Sequence, residues 1–248
     1  MKKLIIFAPL LLLSACGYSV LDAAEDISNA SSNGMEDGEK VTTKAATIGN
    51  FATLASVGPD NITFNAAESF TISATGDADV VSKLRYVLKD GKLVIGREDE
   101  SWMDYKGGVA NITVSAPTLD KISMVGSGDL TAPTLDNDAL KISVAGSGNV
   151  DVKALKASSV KGSVAGSGNI NLAGTADNAK FSIAGSGNVK ATQLKSKTAK
   201  ASIAGSGDID LFASETVKAS LVGSGDVNVT GGAKCKSSSV GSGELNCS

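Results

Sequence analysis

From residue 121 to the C-terminus, apolar residues return at every second position in short runs, and each run breaks at the same small tripeptide. Gly-Ser-Gly begins at Gly126, Gly146, Gly166, Gly185, Gly205, Gly223 and Gly241, so successive starts lie 20, 20, 19, 20, 18 and 18 residues apart. Two residues before each start stand Met124, Val144, Val164, Ile183, Ile203, Leu221 and Ser239; four before stand Ile122, Ile142, Gly162, Phe181, Ala201, Ala219 and Ser237. Four and six residues after it come pairs such as Val150/Val152, Ile170/Leu172 and Ile209/Leu211, ending with Leu245/Cys247. A period of two places these side chains on one inward face of a strand. A repeat near 20 residues predicts a solenoid, whose coils bury their apolar faces only against one another. The Gly-Ser-Gly-Asp/Asn corner tolerates the positive φ of a sharp bend. Each coil is expected to read strand, corner, strand, variable loop.

The outward positions are more regular still. Five residues before each corner stands lysine: Lys121, Lys141, Lys161, Lys180, Lys200, Lys218 and Lys236. Three before stands serine, from Ser123 to Ser238, and three after the first glycine the column reads Asp129, Asn149, Asn169, Asn188, Asp208, Asp226, Glu244. Coils stacked at about 4.8 Å turn these columns into ladders, and the three adjacent asparagines are expected to stack their amides in hydrogen bonds.

The repeated Ser-Val-Ala-Gly-Ser-Gly-Asn-Val pattern, the preceding Phe70-Thr-Ile-Ser-Ala-Thr-Gly76 segment and the Asp90-Gly91 turn resemble the bacterial "putative auto-transporter adhesin, head GIN domain" family over approximately residues 46 to 248. The resemblance implies an all-β fold, a right-handed single-stranded parallel β-helix with about 20 residues per coil, exported to the cell envelope. It brings no catalytic motif to carry over.

The first residues supply an address. Lys2 and Lys3 precede an apolar stretch, Leu4 to Leu13, that ends in Leu13-Ser14-Ala15-Cys16. That stretch is too short to span a bilayer, which takes roughly 20 helical residues, and suits a signal peptide over residues 1–15. Its ending resembles a bacterial lipobox with Cys16 as the lipidated residue; the alternative is a plain secretory signal with an incidental cysteine. Gly17 after Cys16 favours the outer membrane, by analogy with enteric sorting. Residues 16–45 read as the lipid-bearing cysteine and a flexible tether, since Asp26 to Lys40 is dominated by Ser, Asn, Gly, Asp and Glu. Residues 46–248 form the folded unit, with 46–115 as irregular first coils or a cap and 116–248 as the repeats.

The two remaining cysteines, Cys235 and Cys247, occupy inward columns of the last coil, whose other inward sites have shrunk to Ser237 and Ser239. In an oxidising compartment they are expected to pair and cover the open end; two buried free thiols are the alternative. With no histidine in the chain, neither a metal nor any other cofactor is expected. A net charge of −3 argues against nucleic acid as a partner. Polysaccharide-cleaving chemistry needs clustered carboxylates or a base beside them, whereas Asp151, Asp177 and Asp210 are scattered and the two arginines, Arg85 and Arg97, precede the repeats.

The expected function is therefore a non-catalytic, adhesin-like envelope lipoprotein, held to the membrane by its lipid. Its candidate ligand is an anionic glycan or envelope polymer, met by the seven lysines. The competing account of the lysines is a surface kept soluble. Trp102 and Tyr105 form a second candidate binding feature, against a role in closing the N-terminal end of the core. A purely structural envelope protein is the alternative function, and a polysaccharide-active enzyme comes third. Oligomeric state is left open.

Overall fold

The structure, a computed structural model, describes residue 35, residues 37–98 and residues 108–248. They form a β-solenoid of about 6 turns, with about 20 residues between stacked parallel bridges. In chain order the N-terminal part holds β1 (Glu39–Lys40), β2 (Ala46–Thr47), β3 (Thr53–Gly58), β4 (Asn61–Ala66), β5 (Thr71–Thr75), a short helix (Ala78–Lys83), β6 (Leu84–Lys89), β7 (Lys92–Arg97) and β8 (Asn111–Ala116). The repeats hold β9 (Lys121–Gly126), β10 (Leu130–Ala132), β11 (Leu135–Gly146), β12 (Asn149–Gly166), β13 (Asn169–Gly185), β14 (Asn188–Gly205), β15 (Ile209–Gly223), β16 (Val227–Thr230), β17 (Lys234–Gly241) and β18 (Leu245–Cys247).

Coils register on their corners, Gly146 lying beside both Gly126 and Gly166, and the same register runs on to Gly241 beside Gly223. The first glycine of each repeat corner has φ between 117° and 137°, a backbone that residues with a Cβ rarely adopt. Its carbonyl accepts two hydrogen bonds from the next coil: Gly146 O takes Ser167 N at 2.9 Å and Gly168 N at 3.0 Å. The third glycine is required for a different reason. A Cβ on Gly187 would stand 2.0 Å from the Gly168 carbonyl oxygen, so only glycine lets neighbouring corners approach this closely.

The stretch after the second strand, expected as a variable loop, is a third paired face. Leu135 pairs with Leu155, Asn137 with Ala157, and Leu135, Leu155 and Leu194 are buried. Backbone laid over an apolar core must find hydrogen-bond partners, and the coil beneath provides them. Differences in coil length appear as register shifts, between Val152/Leu155 and between Ala191/Lys195.

The core is one continuous apolar stack. Its largest repeat side chain, Phe181, is accommodated by its neighbours in the same column, Gly162 on one side and Ala201 on the other. A Cβ on Gly162 would already lie 3.0 Å from Phe181 Cδ1. Close packing of this kind makes volume in one coil a constraint on the next.

Residues 46–115 divide into a true coil and a cap. β3 and β4 form the first regular coil, with Gly58 beside Gly126 and Ile62 beside Leu130. Its corner is Gly58-Pro59-Asp60-Asn61 in place of Gly-Ser-Gly-Asp. Beneath it, β7 runs parallel to β3 and β8 parallel to β4. Antiparallel strands then close the stack, β6 on β7, β1 on β6, β5 on β8 and β2 on β5. The β6–β7 turn uses Asp90 and Gly91, with φ of 51° and 72°.

Candidate functional site

One lateral face of the solenoid carries the lysines. Lys121, Lys141, Lys161, Lys180, Lys200, Lys218 and Lys236 stand in unbroken register along β9, β11, β12, β13, β14, β15 and β17. At the inter-strand spacing of about 4.8 Å, each neighbouring pair of charges repels by roughly 0.9 kcal/mol in water before salt screening. The ladder is not uniform along its length. Lys121, Lys141 and Lys161 are half-buried and each already makes a polar or electrostatic contact, whereas Lys180, Lys200, Lys218 and Lys236 are exposed.

The neighbouring serine column shows the same gradient. Ser123, Ser143 and Ser163 point to the outer face yet are buried, and Ser220 and Ser238 are exposed. Outward alternation therefore did not mean solvent exposure for the first three. The Ser143 and Ser163 hydroxyls have no hydrogen-bond partner among the described residues. Beyond the serines runs a column of Ala145, Ala165, Ala184, Ala204, Val222 and Val240, the last being 69% exposed.

A shallow groove of about 770 Å³ borders the ladder. Lys141, Lys161, Lys180 and Lys200 form one wall, Ser159, Asn178 and Thr198 the other, with Asp120, Asn137 and Asp138 at the end nearer the first coils. Two residues before each lysine on the same strand, this second wall shares the lysines' face by the period of two. Extending the outward column one step past the lysines would have revealed it in the sequence.

The Asp/Asn column belongs to the corner and is used structurally. Asn169 Nδ2 donates to Asn149 Oδ1 at 2.7 Å, and Asn188 Nδ2 to Asn169 Oδ1 at 3.1 Å, forming the expected amide ladder. It continues in both directions: Asn61 Oδ1 accepts from Asp129 N at 3.1 Å, Asp208 Oδ1 from Asp226 N at 2.9 Å and Asp226 Oδ1 from Glu244 N at 2.8 Å. Among the described residues no group of three or more His, Cys, Asp or Glu side chains could hold a metal ion.

The remaining sequence-derived candidates lie elsewhere. Cys235 and Cys247 are joined in a disulfide between β17 and β18, their Cα atoms 6.5 Å apart. Trp102, Tyr105 and Cys16 lie outside the described residues, as do residues 1–34 with the expected signal peptide and most of the tether. Both arginines serve the cap. Arg97 donates to Asp60 through Nε at 2.7 Å and Nη2 at 2.5 Å, and Ala110 N donates to Asp60 Oδ1 at 2.8 Å. Arg85 pairs with Glu98. Neither partner was evident from spacing: the antiparallel β6–β7 pairing brings Glu98 beside Arg85, and the stacking of β3 on β7 brings Asp60 to Arg97.

The chain matches the model of a family described as "Putative auto-transporter adhesin, head GIN domain" over residues 50–233. Among solved structures it is similar to a putative adhesin from Bacteroides fragilis, with 26% identity, a TM-score of 0.75 and coverage of 83% of this chain and 95% of that one. It also shares the fold of a putative lipid binding protein from Parabacteroides distasonis, at 24% identity and a TM-score of 0.67, covering 83% of this chain and 95% of that one. A putative adhesin from Parabacteroides merdae has the same fold, at 24% identity and a TM-score of 0.66, with 84% and 96% covered. No curated protein matches the chain.

Proposed function

The chain belongs to the putative auto-transporter adhesin, head GIN domain family, and from that premise we propose that it is a non-catalytic, envelope-anchored binding module whose lysine face receives an anionic polymer. The observation that carries this reading is the in-register lysine column bordering the 770 Å³ groove. A polymer laid along the column relieves lysine–lysine repulsion and releases its own counterions. Lys180, Lys200, Lys218 and Lys236, the exposed part of the ladder, are its main contacts, and Lys141 and Lys161 extend the wall towards the first coils. Sequence alone supports the anchor: Leu13-Ser14-Ala15-Cys16 as a lipobox, with Cys16 lipidated at the outer membrane, and multiple acyl chains holding far better than one.

The test is binding of the full chain to dextran sulfate at two salt concentrations. Four lysine contacts predict affinity about 50-fold lower at 200 mM than at 50 mM salt. Exchange of Lys180, Lys200, Lys218 and Lys236 for Gln should abolish both the binding and its salt dependence while leaving the thermal transition in place. Equal affinity in the quadruple variant would reduce the lysines to solubilising surface.

A further inference from the structure

The lysine column responds to charge, and charge does not distinguish a glycan from any other polyanion. Lysine presents a compact ammonium on a flexible stem, without the planar fork by which arginine grips a carboxylate or phosphate. Both arginines of the described residues are buried in the cap. Selectivity must come from the groove's other wall.

That wall is polar and stacked. Ser159 lies beside Asn178, and Asn178 beside Thr198, about 7 Å from the lysine column along the strand. Thr198 Oγ1 donates to Asn178 Oδ1 at 2.8 Å. This bond fixes the amide plane and does not use the two N–H donors of the Asn178 amide. At the end nearer the first coils, Asn137 Nδ2 donates to Asp120 Oδ1 at 2.8 Å, and Asp138 lines the groove beside it.

Ammonium, amide, hydroxyl and carboxylate groups thus face a single groove. A bare polyanion such as polyphosphate offers acceptors only, so Asp120 and Asp138 would repel it, Ser159 could act towards it only as a donor, and Thr198, whose hydroxyl hydrogen is given to Asn178, offers it no donor. A sugar chain carries hydroxyls that both donate and accept, and these suit every group on the second wall. We infer that the occupant is an acidic glycan, its acidic groups along Lys180 and Lys200 and its hydroxyls read by Ser159, Asn178 and Thr198. The inference rests on the anionic-polymer reading above and adds the wall that selects among anionic polymers.

Affinity of the full chain for polygalacturonate and for polyphosphate, compared at matched charge concentration and salt, tests it. Polygalacturonate should bind more tightly. The double exchange Asn178→Ala and Thr198→Val, on the solvent-facing side of the strand, should weaken polygalacturonate about fivefold for each hydrogen bond lost and leave polyphosphate unchanged, with an unaltered thermal transition. Tighter binding of polyphosphate, or an equal loss for both polymers in the double variant, overturns the inference while the lysine reading stands. The exchange Lys180→Gln with Lys200→Gln should weaken both polymers. If it weakens neither, the lysine reading fails and the inference falls with it.

Discussion

The two ends of the solenoid face the same problem and close it with different chemistry. At the N-terminal end the first coil, β3 and β4, rests on β7 and β8, and antiparallel strands and a helix with buried Val80 and Val81 finish the stack. At the C-terminal end the last coil stacks on β15 and β16, its inward columns carry the exposed Ser237 and Ser239, and one disulfide ties β17 to β18. The N-terminal end covers apolar surface with more apolar surface; the C-terminal end makes its last layer thin and polar. Both protect an edge that would otherwise recruit further strands. Capping a repeat stack thus needs no particular structure, only an end to the demand for another coil.

The sharpest way to break this contrast lies at Asp60. It stands in the register of the third corner glycine, where interior coils tolerate no side chain, and its carboxylate accepts from Ala110 N at 2.8 Å. It also pairs with buried Arg97. Asp60→Gly restores the repeat corner but leaves a buried guanidinium without its carboxylate, so it should cost about 3–5 kcal/mol by denaturant unfolding. Adding Arg97→Met should recover much of that loss, and a double variant no better than the single would place the effect elsewhere.

At the opposite end, opening the Cys235–Cys247 bridge should cost about 3 kcal/mol by the loop-entropy estimate for its 12-residue separation. The loss should be local. Hydrogen exchange after reduction is expected to rise over residues 234–247 and to leave the β6–β7 hairpin protected. Two titratable thiols in denatured, unreduced protein would show that the end is closed without the bond.

The smallest effect sharpens the cap alone. Burial of Tyr86, reinforced by the hydrogen bond it donates to Glu39 at 2.5 Å, pushes its pKa up from 10.0 to about 12. The protonated phenol is favoured in the fold, so its contribution is complete below about pH 10 and falls as pH rises towards about 12. Wild-type chain and Tyr86→Phe should therefore converge in stability across that window, as read by thermal melts at each pH. A constant difference would remove the phenol from the cap's pH response.

The regions differ equally in how much could be read beforehand. In the repeats, corner, inward columns, lysine ladder and asparagine ladder all follow from period and alignment, because each coil sees nearly the same environment as the next. The cap gave little: Phe70, Ile72, Ala74 and the Asp90-Gly91 turn were visible, but the first coil was hidden by a corner written Gly58-Pro59-Asp60-Asn61. Its partner coil begins only at Lys121, after β5 to β8 have been threaded beneath it. The second wall of the groove was written in the outward column and simply lay one step beyond the lysines.

Repetition let the sequence alone determine the solenoid, its pitch and its lateral columns, since stacking identical coils leaves one register that aligns every corner glycine. Tertiary structure decided what repetition does not encode. It set which stretch of the lysine and serine columns is exposed, which carboxylate meets Arg97, and that the variable segment is a third paired face. These outcomes depend on contacts between residues far apart in the chain and alike in no motif, which repetition does not specify.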